Sequence, residues 1–502
     1  MGYDDVGVLI LALFCLLSGL SVAPSSSSEE LAASSRRGKD LMAAGRYAEA
    51  VPVYRAMVDA VPGNAGLLLN LGMALHMAGE DEAAIAPLGA ALKLQPALGP
   101  ANLFLGAANL RLGRPDAAIA PLQTAVRLDP PSRDVRSMLA EALVALDRYA
   151  EAEPHLRRLA RLAPADPAAW FNLGNAYEEL AEQARAELRD RYPESPFTLA
   201  LSAEARANRD QPTAAFHLYR KAMERKPVIR GLHAAVAAIY LRAGHADWAA
   251  LEGRKALLLP RADCARDRME CAFLAGKYHE VVTAPRAEGP GPRYWLARAY
   301  TALASQAFGR LAALPPSATS HERMAEVRRG ERRYPESAEH WRKAIALSPD
   351  DPQLQMELAV TLRQNRDFAG AQQVLDALLI KAPDAPDLNY FAGDVLLARD
   401  EPARAIPFLE KAVRLEPDAP HAHGALGRAY ALVGRAVDAI AHFKKALSAD
   451  VDGSLRYQLA RSYQSTGQAE QARLALEDYE DFRKTFPADA QTGDEAPITA
   501  PR

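Results

Sequence analysis

A spacing of 34 residues constrains this chain more than any other feature. The stretch from Ala65 to Leu98 reads as two short helices folded on each other. The first carries Leu68, Leu71 and Leu75 on one face, with Gly72 among them and Gly79 at the turn. The second carries Ala84, Leu88 and Ala91, and Pro96 follows. Spacings of three and four residues collect these side chains into one apolar stripe per helix. Shifting by 34 returns Leu105, Gly106, Gly113, Ala118, Leu122, Ala125 and Pro130, and a second shift returns Leu139, Ala140, Leu143, Ala152, Leu156 and Pro164. One hairpin cannot bury such a face alone, whereas stacked hairpins can.

The run Trp170-Phe171-Asn172-Leu173-Gly174-Asn175-Ala176-Tyr177 is W-x-x-L-G-x-x-Y without a mismatch. With the 34-residue period, it makes the chain resemble the tetratricopeptide repeat family over nearly its whole length. The resemblance implies an all-α fold, a right-handed solenoid of stacked helix-turn-helix hairpins. Small residues at the eighth and twentieth positions of each unit let the paired backbones approach, and large ones fill the space on either side. The closing proline cannot continue a helix and biases the residue before it away from the helical region.

At 502 residues the chain exceeds what one ordinary core supports, a limit a solenoid escapes by growing in one dimension. A formal net charge of -3 argues for no nucleic-acid partner. The apolar fraction, 49%, is rich in alanine, as closely packed helix pairs require. Of three cysteines, Cys15 lies in the leader. If Cys264 and Cys271 share one helix, their Cα atoms are roughly 10 Å apart, too far to bridge, and both read as packing residues.

Residues 1–23 read as a signal peptide: an apolar run over 8–20 is followed by Ser21-Val22-Ala23, although the first seven residues hold Asp4 and Asp5 and no base. An uncleaved membrane anchor is the alternative. Residues 24–30 read as a Ser-rich linker, 31–166 as an array of four repeats, 167–317 as an irregular segment, 318–486 as a second array and 487–502 as a disordered tail. The middle is partly duplicated. Tyr177, Leu180, Ala181, Gln183, Ala184 and Leu188 recur 123 positions later as Tyr300, Leu303, Ala304, Gln306, Ala307 and Leu311, in a stretch with no turn residue. Each copy therefore predicts one long helix with a fixed structural task, most simply a change of superhelical pitch. Around Cys264 to Thr283 a degraded unit keeps only its turn, and Gly-Pro-Gly-Pro at 289–292 reads as a break. In all, roughly eleven hairpins and three irregular units are expected.

No catalytic, metal or cofactor constellation emerges: there is no C-x-x-C, H-E-x-x-H, P-loop or G-x-S-x-G. His421 and His423, two apart on a helix, point in different directions and read as surface residues. The basic run Arg328-Arg329-Gly330-Glu331-Arg332-Arg333 reads as a solvated hairpin turn, with a docking patch as the alternative.

The family resemblance implies that first helices line a concave surface. Its groove positions hold Leu69, Met73, Met77, Leu103 and Leu110 near the N-terminus, and Arg363, Tyr390, Arg428, Tyr457 and Arg461 toward the C-terminus. An exposed apolar group and an Arg/Tyr group are the chemistry of interface anchors. The lysines that would complete the family's carboxylate clamp are missing beside Asn70 and Asn172. The expected function is a non-catalytic scaffold, exported, that holds a protein or peptide partner without cofactor or nucleic acid. Alternatives are a membrane-anchored assembly factor and an enzyme with a site in the irregular middle.

Overall fold

The structure, a computed structural model, describes residues 26–226, 228–285, 288–484 and 498–501. The leader, Cys15, Pro227 and most of the 487–502 tail lie outside these. Among the described residues are 26 α-helices, one short 3-10 turn and no strand. The chain divides into two compact units, 1–163 and 164–502.

The first unit stacks four hairpins: α1 (Ser26–Ala43) with α2 (Tyr47–Ala60), α3 (Ala65–Met77) with α4 (Asp81–Leu94), α5 (Gly99–Arg111) with α6 (Pro115–Leu128), and α7 (Arg133–Val144) with α8 (Tyr149–Leu162). The predicted stripes are the core: Leu71, Leu75, Leu88, Leu122, Leu139 and Leu143 are all buried. Gly72 and Gly106 are required by closeness, since a Cβ on either would stand 2.4 Å from the Cγ of Leu88 or Leu122. The serine-rich stretch is not a linker after Ser26. Helix α1 reaches back through it, with Glu29 in its first turn and Leu31 packed on the core.

The first helix of most hairpins ends in a residue with positive φ, the left-handed conformation that turns the chain into the second. Glycine supplies it at 45, 79, 113, 244, 276, 434 and 467, whereas Asp147, Asp210, Arg332, Arg366 and Asp400 adopt it at the remaining turns.

The second unit begins with the long α9 (Pro167–Arg191), followed by hairpins α10 (Pro196–Asn208) with α11 (Pro212–Arg225) and α12 (Leu232–Arg242) with α13 (Ala246–Leu257). Two short helices, α14 (Arg268–Leu274) and α15 (Tyr278–Val282), form the degraded repeat. The second long helix, α16 (Pro290–Ala312), starts within Gly-Pro-Gly-Pro, because Pro290 fits a first helical turn and Gly289 takes φ 107° before it. Regular pairs follow: α17 (Ala318–Gly330) with α18 (Tyr334–Leu347), α19 (Pro352–Gln364) with α20 (Phe368–Lys381), α21 (Pro386–Ala398) with α22 (Pro402–Leu415), α23 (Pro420–Leu432) with α24 (Ala436–Ala446), and α25 (Ser454–Ser465) with α26 (Ala469–Lys484). Eleven regular hairpins and three irregular units are thus present among the described residues, as the repeat pattern predicts.

The long helices pack on each other. Gly174 faces Phe308, Tyr177 stacks on Tyr300 with centroids 6.2 Å apart, Arg185 donates to Thr301 at 3.1 Å, and Glu187 pairs with Arg293 at 2.6 Å. Numbers rise along α9 as they fall along α16, so the pair is antiparallel. Because α16 repeats α9 with an offset of 123, Tyr177 meets its own counterpart, and a local two-fold axis passes beside that stack. Each long helix also leans on the other copy's hairpin. Phe171 of α9 packs with Met324 and Val327 of α17, and its counterpart Tyr294 of α16 lies 5.1 Å from Phe197 of α10.

Cys264 and Cys271 are bonded, against the expectation from the sequence. The helix holding Cys271 starts only at Arg268, and a turn at Asp263, whose side chain accepts from Ala265 N, folds Cys264 back to a Cα distance of 5.6 Å.

Candidate partner-binding groove

In the first unit, Leu69, Met73 and Met77 follow one another at four-residue steps along α3, off the stripe that enters the core. Leu69 and Met73 are half-buried and Met77 is 42% exposed; Leu103 and Leu110 of α5 are half-buried. The apolar group therefore retains accessible surface within this unit. Beside it lies a polar joint that the sequence did not reveal. Asp81 is buried at the start of α4, with His76 Nδ1 2.5 Å from one carboxylate oxygen and Arg111 Nε donating to the other at 2.6 Å. Arg111 also donates to the His76 carbonyl oxygen at 2.6 Å, fastening α5 to the preceding hairpin.

In the second unit, Arg363 of α19, Tyr390 of α21 and Arg428 of α23 come together around a residue not singled out beforehand, Asp394. Its carboxylate is 4% exposed and pairs with Arg363 through one oxygen and with Arg428, at 3.3 Å, through the other. Two guanidiniums share one carboxylate, both remain about two-fifths exposed, and Arg428 also acts on Asp452 across the adjoining cleft. Tyr390 sits one turn before Asp394 on the same face. Burial pushes its phenol up, Asp394 adds to that, and the two arginines oppose it. A cleft of about 180 Å³ continues from Tyr390 and Arg428 to His421, Asp452 and Ser454. Tyr457 turns instead to Tyr479 of α26, with ring centroids 5.4 Å apart, and Arg461 is exposed further along α25. The signal for Asp394 was an acid four residues after Tyr390 in the otherwise apolar Tyr-Phe-Ala-Gly-Asp-Val-Leu-Leu.

His423 is not a surface residue. It is 2% exposed, its Nε2 donates to the Pro417 carbonyl oxygen at 2.9 Å, and its Nδ1 lies 2.7 Å from Nδ1 of His442. The same 19-residue step joins His321 to His340 at 3.1 Å and His233 to Glu252 at 2.6 Å, each bridging the two helices of one hairpin. Among the described residues no group of three or more ligand-type side chains could hold a metal ion. Arg328 and Arg333 pair with Glu331 and Glu336, and Arg329 with Glu357, so three of the four arginines of the basic run are engaged at its hairpin turn. The irregular middle holds a cleft of about 860 Å³ floored by Phe197 and Trp295, with Lys226, Arg268, Asp267 and Glu270 along its walls. No helix of the described residues is long and apolar enough to cross a membrane.

Tetratricopeptide repeat models match residues 35–99, 109–174, 322–386, 356–420 and 390–453, together more than half of the chain. The chain belongs to the tetratricopeptide repeat family, whose members commonly act as protein-interaction scaffolds. The matches leave out most of the segment holding the two long helices. No curated protein sequence matches the chain. Among solved structures it is similar to the MamA protein, at 22% identity over 40% of this chain and 93% of that one, TM-score 0.29. It is also similar to yeast Tom70, at 15% identity over 90% and 92% with TM-score 0.29, and to Pseudomonas aeruginosa pilF, at 16% identity over 44% and 90% with TM-score 0.32.

Proposed function

We propose that this chain is a non-catalytic scaffold that holds a protein or peptide along the first helices of its repeats, and that its C-terminal groove takes an acidic segment of that partner. The observation that supports this most is the sharing of one buried carboxylate, Asp394, by two partly exposed guanidiniums. Arg363 and Arg428 are held in place by a buried carboxylate yet remain open to a second one, and Tyr390 offers a rigid apolar flank with a polar tip. Rigid helices lose little freedom on binding, so the contact energy is not spent on ordering the scaffold.

The test is capture of partners from envelope extracts by the intact chain and by a chain with Arg363, Arg428 and Arg461 changed to Ala. Loss of a subset of partners, restored by lowering the salt concentration, is the expected result. Identical captured sets would place binding elsewhere.

We also propose that the protein is exported by cleavage after residue 23. The apolar run over 8–20 favours this, as does the Cys264 to Cys271 disulfide, since such bonds persist in oxidising compartments. A mature mass beginning at Pro24 is expected; one that retains residues 1–23 would count against export by cleavage and favour an anchor.

A further inference from the structure

Residues 498–501 do not hang free. They lie against the second unit 259 positions upstream, where the Tyr240 hydroxyl of α12 donates to the Thr499 carbonyl oxygen at 2.7 Å. Ile498 is half-buried and packs on the core cluster built around α10 to α13, while Thr499 and Ala500 stay exposed. Beneath them the Tyr240 ring is fully buried, with Phe216 and Trp248 each 5.5 Å away, and Trp248 stacks in turn on His245 at 3.9 Å. One apolar side chain turned inward and the next carbonyl taken by a fixed donor is how a protein surface grips an extended peptide. A buried tyrosine also leaves its hydroxyl in need of such an acceptor.

We infer that the α12–α13 hairpin carries a binding site for an extended peptide with a branched apolar residue beside a proline, and that Ile498-Thr499-Ala500-Pro501 fills this site in cis. The site is separate from the Asp394 cluster and does not depend on it. Pro501 fixes its own φ and biases Ala500 before it toward extended backbone, which lowers the cost of holding the segment. Thirteen residues, 485–497, join it to α26. A tether of that length gives an effective concentration of order 1 mM, so a site with an intrinsic Kd near 0.1 mM is self-occupied and weakened about tenfold toward a peptide in trans. A partner carrying the same chemistry would have to displace the tail.

The probe is a labelled, end-blocked peptide Ala-Pro-Ile-Thr-Ala-Pro, titrated by fluorescence anisotropy into the full chain and into full-length Ile498→Asp. Ile498→Asp empties the site without touching its walls, and about tenfold tighter binding of the peptide than in the parent is expected. Adding Tyr240→Phe to that variant should return binding to the weak level with the circular dichroism spectrum unchanged. Equal binding by parent and Ile498→Asp, binding by neither, or indifference to Tyr240→Phe would each overturn the proposal.

Discussion

The tightest constraints sit at single positions where helices cross. At Gly106 two effects of opposite sign compete. Alanine in a helix interior is favoured over glycine by about 1 kcal/mol, but overpacking costs about 1–3 kcal/mol. Leu122 is fully buried and would meet the new methyl through its branch carbon, so it cannot swing aside, and crowding wins. Gly106→Ala is therefore expected to lower the urea midpoint, whereas Gly113→Ala is penalised for a different reason, its φ of 67°. Arg366 occupies the same kind of turn at φ 61°, and Arg366→Gly should be neutral or stabilising by up to about 1 kcal/mol, measured by the same melt.

The paired histidines give a pH dependence at this scale. His442 is held below the ordinary histidine range by burial first, then by His423 and Lys445, with Asp438 and Glu410 opposing. His340 is lowered in the same way by burial, His321, Lys343 and Arg328, with Glu339 opposing. A depressed histidine is neutral when folded, so the unfolded chain takes up the proton first. The stabilisation is complete above about pH 6.5 and declines as the pH falls from there toward the folded value. Urea midpoints should drop between about pH 7.5 and pH 5, and His442→Gln should narrow that drop; an unchanged difference would show that the His442 ring does not titrate with folding.

At the scale of elements, the α9 and α16 pair replaces what would otherwise be two more hairpins. Its centre is the stack of Tyr177 on Tyr300, flanked by Ala181 and Ala304, both fully buried. A double-mutant cycle on Tyr177→Ala and Tyr300→Ala should give a coupling of about 0.5–1.5 kcal/mol, and additivity would mean that the rings meet without interacting. The second structural staple of this region is covalent. Reducing Cys264 to Cys271, or changing both to Ser, should raise hydrogen exchange over residues 261–274 while leaving α19 to α24 unchanged.

At the scale of the molecule, the hairpins were legible because their signal is periodic and local: the regular repeats share the same stripe, a glycine or alanine at the crossing and, in most of them, a closing proline. The long helices were legible as lengths and as duplicates, since Leu180, Ala181 and Leu188 recur in register as Leu303, Ala304 and Leu311. Their pairing was not, because a repeat offset says that two segments are alike and nothing about whether they touch. Asp394 and Asp81 were hidden for a related reason: a single acid on a helix reads as solvated until the arginine of the next repeat is placed beside it. Cys264 was misjudged because a helix that starts at Arg268, past Cys264, changes a distance from about 10 Å to 5.6 Å. A solenoid also localises damage. Leu122→Ala, expected to cost about 2–5 kcal/mol, should accelerate hydrogen exchange in α5 to α8 first, and uniform acceleration throughout the first unit would instead indicate one cooperative block.

The axis beside Tyr177 and Tyr300 gives one polypeptide the geometry of a head-to-head dimer. In an assembly of identical subunits a substitution changes both faces together, whereas here each face has its own codons. The surroundings of the two long helices differ accordingly. After α9 come a shortened repeat, a disulfide and a surface that receives residues 498–501; after α16 come an unbroken run of hairpins and the arginine cluster. One chain thus holds the two copies at a ratio of one to one and lets a symmetric helix pair carry two unlike neighbourhoods.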